Sequence, residues 1–383
     1  MPKIDRSDDS QNIGERLFTL GRDVLSQDVE ARDRRGAVDE NDWLPLWQAA
    51  ADAGAFRMVL PPEYGGYGLP VLTAIRALHR LGEGCRDNGM LLGINGQLWA
   101  MQMSILEFGT EAQKQHWLPR LVDGRSICCH MVTEEGSGSS AMSIKTRAER
   151  TDDGYRLSGE KTWIGMGSSA DLGQVFAVTN PDHGAWGLSA FLIDLNQPGV
   201  HKETKIEKAG HRTVPAGRIT LDGVEISEAA RLGPEGAGQS IFNRSIDWER
   251  RFIFASHVGA MKRQLDETIA FARGRAPGGV AISTHQSVSN RLADMQVRYE
   301  TSRMLIERAA SEMDEGPENR MTPSLVKLAV SEALLANAEA AMRIRGGAGY
   351  SIGETERMLR DMAGAVTLGG TSDIQRQIIA ALQ

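Results

Sequence analysis

One carboxylate of this sequence is a candidate general base. Glu249 lies in the segment IDWERR (246–251), beside Trp248 and two arginines, within a stretch of helical periodicity. A carboxylate that is held against an aromatic ring and an apolar ligand can act as a general base toward that ligand. The alternative is that Glu249 pairs with Arg250 or Arg251 on a solvated helix face, and this segment alone favours the ion pair.

Two glycine-rich segments are candidates for holding a phosphate or a flavin. The segment MVTEEGSGSSAMSIKT (131–146) combines glycines with hydroxyl side chains, so backbone N–H groups can approach a ligand closely. The segment RIRGGAGY (343–350) places Arg343 and Arg345 beside paired glycines, which suits a pyrophosphate. A plain turn and a helix C-terminus are the respective alternatives. Neither segment fits the dinucleotide-binding or Walker A pattern.

Composition and charge exclude several classes of protein. The chain has 383 residues, of which 41% are hydrophobic and 24% are charged, which is ordinary for a globular protein. The net charge is -7 with no basic stripe, which argues against nucleic acid as a partner. The sequence shows no run of 18 apolar residues and no apolar signal segment near its start. We therefore expect a cytoplasmic protein that does not associate with a membrane.

The sequence predicts no metal site and no disulfide framework. Its eight histidines are scattered, with no His-x₃-His pair, and there is no Cys-x₂-Cys pair. The three cysteines are Cys85, Cys128 and Cys129, which are too few for a disulfide scaffold and indicate a reducing compartment. The adjacent pair is expected to be buried on a strand.

The predicted elements follow the order helices, strands, helices, which indicates an α+β fold and is too coarse for βαβ units. The predicted domains are 1–128 (helical), 129–240 (β) and 241–383 (helical). Turn signals predict three strand pairs, which turn at 152–154, at 181–187 and at 222–223. Helical periodicity predicts long helices over 238–273, 286–314 and 322–345.

Taken together, the segments resemble the acyl-CoA dehydrogenase family over nearly the whole chain. MVTEEGSGSS (131–140) is similar to the family's T-E-P-x-A-G-S-D flavin loop, and KTWIGMG (161–167) to its W-I-T-N segment. Further signatures follow in the family's order: FGTEAQKQHWLPRLVDG, RLGPEGAG, HQSVSNRLADM, RIRGGAGY and GGTSDIQRQIIA. The resemblance implies an N-terminal helical domain, a central β-barrel-like domain and a C-terminal four-helix bundle. It also implies a homotetramer or homodimer that shares FAD between subunits.

The resemblance implies α,β-dehydrogenation of an acyl thioester. A carboxylate removes the α-proton, the β-hydrogen leaves as hydride to flavin N5, and a backbone N–H polarises the thioester carbonyl. In many members the base is the Glu of I-Y-E-G-T, where this sequence has Gly369. A second group carries its base within L-D-L-E-R, and the matching segment here is 246–250. Glu249 is therefore the implied base, and the N–H of Gly369 is the implied donor to the thioester.

The resemblance also assigns residues to the cofactor and to the substrate. Residues implied to line the flavin ring are Met131, Val132, Thr133, Gly138, Ser139, Trp163 and Gly165. Residues implied to reach other parts of FAD, some of them on a neighbouring subunit, are Arg275, Gln286, Arg343, Gly346, Gly347, Thr371 and Asp373. The implied substrate contacts are Ser139, Asp247 and Arg250.

The sequence departs from the family pattern at several of these positions. Gly165 stands where the family has a threonine whose hydroxyl bonds the flavin, so it offers only a backbone N–H. The other departures are Glu135 for proline, Ser140 for aspartate, Gly278-Gly279 for F-G and Arg343 for glutamine. We expect FAD to bind with unusual redox tuning.

The substrate expectation rests on a subgroup of the family. NPDHGAWGLSAFLI (180–193), RLGPEGAGQSIFNRSIDWER (231–250) and QSVSNRLADM (286–295) resemble carrier-protein-directed dehydrogenases of natural-product biosynthesis, which include enzymes that oxidise prolyl groups. A carrier-protein thioester is therefore expected, with an acyl-CoA as the alternative. An electron-transfer flavoprotein or oxygen would accept the electrons. Two other hypotheses keep the fold: a flavin monooxygenase that does not need Glu249, and a non-catalytic flavin-binding or assembly subunit.

Overall fold

The computed structural model describes residues 6–36, 40–141, 143–203 and 206–383, and it has the predicted order of helices, strands and helices. The N-terminal helices are α1 (Arg6–Leu20), α2 (Val29–Arg35), α3 (Glu40–Asp52), α4 (Val71–Gly84), α5 (Asn88–Asn95), α6 (Met103–Phe108) and α7 (Glu111–Val122). Two π-helical turns, Gly21–Leu25 and Gly96–Gln102, extend α1 and α5.

Local sequence signals define the starts of two of these helices. Asp87 accepts a hydrogen bond from the backbone N–H of Met90, which caps α5. Thr110 and Gln113 form a reciprocal capping box that starts α7.

Eight strands form the central sheet. They are β1 (Cys128–Met131), β2 (Arg147–Arg150), β3 (Gly154–Gly165), β4 (Leu172–Val178), β5 (Leu188–Asp194), β6 (Val200–Lys202), β7 (Ala216–Ser227) and β8 (Arg231–Leu232). The order is β6-β7-β3-β2-β4-β5-β8, and β1 pairs in parallel with β4. Across the described strands the sheet is open, with β6 and β8 at its edges, whereas the resemblance implied a barrel-like domain. Both cysteines of β1 are buried, as predicted.

Two of the three predicted strand pairs are confirmed and one is wrong. β2 pairs with β3 through the turn at 152–154, and β4 pairs with β5 across 181–187. The segment 218–226 does not turn back at Asp222-Gly223, because β7 continues through it and pairs with β3. The register shifts there by one residue, and Gly223 has a φ of 62°. An Asp-Gly pair suits a bulge of this kind as well as a hairpin turn.

The C-terminal part is again helical. Its helices are α8 (Gly238–Phe252), α9 (Ala255–Gly274), α10 (Gln286–Glu315), α11 (Thr322–Arg345), α12 (Gly347–Tyr350), α13 (Glu354–Ala365) and α14 (Ser372–Ala381). The single helix predicted over 238–273 is divided, because Phe254 leaves helical geometry (φ −103°, ψ 14°). The residues on both sides of Phe254 are buried, so the apolar pattern in the sequence continues across the break and does not reveal it. The sequence signals described above do not predict α13.

Close packing of α4 on α9 joins the N-terminal helices to the C-terminal helices. A Cβ added at Gly82 would lie 1.7 Å from the carbonyl oxygen of Ser256, and one at Gly259 would lie 1.9 Å from that of His79. Only glycine permits backbones to approach so closely. One continuous apolar core therefore runs through all three parts of the chain.

Candidate active site

The Glu249 carboxylate lies in the last turn of α8, at the end of a helix that aromatic side chains hold in place. Trp248 stacks on Trp99 with ring centroids 5.9 Å apart and donates a hydrogen bond from Nε1 to Glu107 at 2.9 Å. The Glu249 side chain is 16% exposed. Burial raises the pKa of Glu249 from its usual value near 4.5 to about 7, against the opposing effect of Arg250 and Lys327. The carboxyl group therefore titrates near neutral pH, as a general base requires.

The neighbouring arginines are engaged by groups other than Glu249. Arg250 donates from Nε to the carbonyl oxygen of Gly369 at 3.1 Å. Arg251 pairs with Glu318 at 3.1 Å. Asp247, one of the implied substrate contacts, is partly buried, and burial raises its pKa.

Gly369 and Glu249, the two positions at which the family carries its base, converge on one point. A Cβ added at Gly369 would lie 3.4 Å from Oε1 of Glu249. A side chain longer than Cβ at this position would occupy the space that the Glu249 carboxylate now fills. Gly369 has a φ of 63°, a conformation that favours glycine. The glycine therefore both leaves room for the carboxylate and permits the local backbone conformation.

A histidine that the sequence analysis did not single out faces the same carboxylate. His130 lies in β1, with Nδ1 4.0 Å from Oε2 of Glu249 and Nε2 3.2 Å from Oγ of Ser245. Phe242 stacks on its ring and Phe176 meets it edge-on. The sequence feature that could have pointed to His130 is its place as the one polar residue in the otherwise apolar strand CCHM.

A buried ion pair fixes the glycine-rich loop 131–146. Lys161 is fully buried in β3 and donates to Glu134 at 2.8 Å and to the carbonyl oxygen of Val132 at 3.1 Å. Glu134 also accepts from the backbone N–H groups of Lys145 and Thr146. Burial lowers the pKa of Lys161 to about 8, and Glu134 partly offsets this. The two charges therefore tie both ends of the loop to β3.

The loop and the end of β3 form an open cradle. Trp163 is 62% exposed and has a φ of 58°, so its indole lies on the surface of the sheet without covering neighbours. A Cβ added at Gly136, Gly138 or Gly165 would meet nothing within 4 Å. Met131 and Val132 are buried below the loop, Thr133 is partly buried and Ser139 is exposed. An apolar floor, hydroxyl groups and an exposed indole beside free space fit a flat aromatic cofactor such as the flavin ring.

The remaining residues assigned to FAD lie on the surface of the C-terminal helices. Those exposed at helix ends are Arg275 after α9, Gln286 at the start of α10, and Arg343, Gly346 and Gly347 at the end of α11. Arg343 pairs with Glu339 within its own helix. Thr371 accepts a hydrogen bond from the N–H of Ile374 and so caps α14, while Asp373 pairs with Arg376 at 2.9 Å. The structure thus brings Glu249, Gly369 and Arg250 together. It leaves six of the residues assigned to FAD exposed: Arg275, Gln286, Arg343, Gly346, Gly347 and Asp373.

No described helix has the length and apolar character needed to cross a membrane. Within residues 6–36, 40–141, 143–203 and 206–383, no group of three or more His, Cys, Asp or Glu side chains is arranged to hold a metal ion.

The cradle at the end of β3 fits a flat cofactor, and the Glu249 carboxylate with its raised pKa faces His130 of β1, which are features typical of a flavin-dependent enzyme. Family models of the acyl-CoA dehydrogenase N-terminal, middle and C-terminal domains match residues 7–125, 129–224 and 236–382. An L-prolyl-[peptidyl-carrier protein] dehydrogenase of Pseudomonas fluorescens is 39% identical over 337 residues, covering 87% of this chain and 88% of the relative. This chain belongs to the acyl-CoA dehydrogenase family.

Solved structures are similar over almost the whole chain. The prolyl acyl carrier protein oxidase AnaB has a TM-score of 0.94 and 36% identity, with 97% of this chain and 98% of that chain covered. PigA, solved with FAD and proline, has a TM-score of 0.92 and 32% identity, with 100% and 98% covered. The protein is an FAD-dependent enzyme that dehydrogenates an acyl thioester.

Proposed function

We propose that Glu249 removes the α-proton of an acyl thioester carried on a carrier protein, with a prolyl group as the first candidate for the acyl part. The observation that carries this proposal is the convergence of Glu249 and Gly369 on one point, with only Glu249 supplying a carboxylate. The raised pKa of Glu249 supports the same role. The choice of a carrier protein is supported by the named activities of the relative from Pseudomonas fluorescens and of AnaB.

The proposed proton transfer uses groups of this chain. The α C–H bond breaks, the proton forms an O–H bond on Glu249, and the electron pair moves toward the thioester carbonyl. The N–H of Gly369 donates to no acceptor among the described residues, so it is available to the carbonyl oxygen. Arg250 donates to the carbonyl oxygen of Gly369 and so fixes the peptide unit that follows this residue. FAD, when bound, supplies the acceptor for the β-hydrogen.

The first test compares two carriers of the same acyl group under anaerobic conditions. We expect the flavin absorbance near 450 nm to bleach on adding a prolyl-loaded carrier protein and to remain unchanged with prolyl-CoA. Bleaching only with acyl-CoA substrates would overturn the carrier-protein proposal and keep the dehydrogenase. Reoxidation by oxygen, or only by an electron-transfer flavoprotein, then identifies the electron acceptor.

The pH dependence of the reaction follows from the protonation state of Glu249. The base must be ionised, and burial raises its pKa to about 7. We expect kcat/KM for the thioester to reach a plateau above pH 7 and to fall about tenfold per unit below pH 6. A profile that is flat from pH 5.5 to 8 would contradict this assignment.

We further propose that copies of this chain assemble as a homotetramer or homodimer in which the outward-facing FAD residues reach a neighbour's cofactor. Support comes from the exposure of Arg275, Gln286 and Arg343. Large apolar side chains are exposed on the same group of helices and on the segment after α12: Val297, Met304, Tyr350 and Ile352. An interface between copies of this chain would remove these side chains from water. A cytoplasmic location is proposed because all three cysteines are free.

A further inference from the structure

His130 is held rigidly beside the proposed base. Its ring lies parallel to that of Phe242 (centroids 6.3 Å apart, 13° between planes) and perpendicular to that of Phe176 (5.4 Å, 83°). The side chain is 14% exposed. These contacts hold the plane of the ring, and Nε2 lies toward Ser245 and Nδ1 toward Glu249.

The hydrogen bonds of Ser245 decide which ring nitrogen carries the proton. The Ser245 hydroxyl donates its one hydrogen to the carbonyl oxygen of Phe242 at 2.9 Å. Its oxygen therefore accepts from Nε2–H of His130, at 3.2 Å. In a neutral imidazole the lone pair then lies on Nδ1, which faces Oε2 of Glu249 at 4.0 Å.

The charges around this pair favour a neutral His130. Burial, together with Lys161 in β3, lowers the pKa of His130 to about 4. The groups that face Glu249 are Arg250 from its own helix and Lys327 from α11, and both are cations that lower its pKa. Neutral His130, acting as a hydrogen-bond acceptor, has the opposite effect on the pKa of Glu249. Its Nδ1 lone pair stabilises the protonated carboxyl group and repels the carboxylate.

We propose that His130 is a positioning residue that accepts a hydrogen bond from Glu249 after Glu249 has taken the α-proton. This inference rests on the proposed role of Glu249 as the base. The α C–H bond breaks and an O–H bond forms on Oε2, and that O–H then donates to Nδ1. The interaction exists after proton transfer and not before it, so it favours the forward step selectively. The proposed hydrogen bond requires this distance of 4.0 Å to shorten in the substrate complex, since hydrogen bonds of catalytic groups are often long in resting active sites.

The test is the pH profile of flavin reduction in the His130→Phe holoenzyme. Phenylalanine keeps the ring and its stacking but removes the acceptor. We expect the rate at its plateau to fall about tenfold and the kinetic pKa to fall by about one unit, the usual worth of one such hydrogen bond. The variant His130→Asn places an amide oxygen near the position of Nδ1, so it is expected to restore part of both values. An unchanged kinetic pKa, or a raised one, would overturn the proposal, since a charged imidazole would stabilise the carboxylate.

Three further variants separate this inference from other effects. Ser245→Ala removes only the hydroxyl that fixes the tautomer, and it is expected to lower the kinetic pKa as well. It decides the question if His130→Phe does not fold. His79→Phe removes a histidine that contacts a different carboxylate, Glu83 at 3.1 Å, and is expected to leave the kinetic pKa unchanged. If Glu249→Gln stays active, the proposed base is wrong; if Glu249→Gln is inactive and His130→Phe keeps its profile, only this inference fails.

Discussion

Replacing Glu249 with glutamine is expected to slow flavin reduction by the thioester about 10²–10⁴-fold, the usual contribution of a general base. The amide keeps the size of the side chain, so FAD content should equal that of the unchanged enzyme. Stopped-flow absorbance under anaerobic conditions measures the rate. Glu312→Gln on α10 is the matched control, because Glu312 pairs only with Arg308 at 3.1 Å among the described ion pairs. A Glu249→Gln enzyme that retains full rate would favour the monooxygenase or the non-catalytic hypothesis.

The free energy of unfolding of Glu249→Gln, measured as a function of pH, gives a second and independent test. The folded protein holds the pKa of Glu249 near 7, whereas the unfolded chain has the usual value near 4.5. Below pH 4.5 both states are protonated and no difference arises. Between pH 4.5 and 7 the folded state loses stability relative to the unfolded state as pH rises. Glu249→Gln removes this loss, so it is expected to stabilise the protein at pH 8 by about 3 kcal/mol and to have almost no effect at about pH 3.5.

Local signals in the sequence are sufficient to predict the order of the elements. The turn at 152–154 and the long helix α11 depend on residues close in the chain, so periodicity and turn chemistry predict them. The sequence predicts a hairpin turn at Asp222-Gly223, but the structure has a bulge there. The same dipeptide is common in both, and only pairing with the distant strand β3 distinguishes them.

The contacts that complete the site could not be predicted because they join distant parts of the chain. His130 and Ser245 are 115 residues apart, and Arg250 and Gly369 are 119 apart. Each residue alone is compatible with many neighbours, and the environment that tunes a pKa exists only after folding. The proposed base, Glu249, follows only from the family resemblance, since its own segment favours an ion pair with Arg250 or Arg251 that the described residues do not form.

The buried pair Lys161–Glu134 gives the largest expected change in stability. Lys161→Met leaves the Glu134 carboxylate buried at 7% exposure with its hydrogen bonds but without its counter-charge. Breaking a buried pair by removing one partner costs about 3–5 kcal/mol. Because the pair ties the flavin loop to β3, purified Lys161→Met should also contain less FAD. Urea unfolding followed by tryptophan fluorescence, and the ratio of flavin to protein absorbance, measure the two effects.

The double variant Lys161→Met/Glu134→Gln separates the charge from the packing. Removing both charges leaves no uncompensated ion, so the double variant is expected to recover most of the stability that Lys161→Met loses. Arg34→Met breaks the exposed pair with Glu30 and should change stability by less than about 1 kcal/mol. If Lys161→Met were as stable as Arg34→Met, the ion pair would not be what holds the loop. The cradle would then depend on backbone contacts alone, such as the bond from the N–H of Thr162 to the carbonyl oxygen of Thr133 at 2.9 Å.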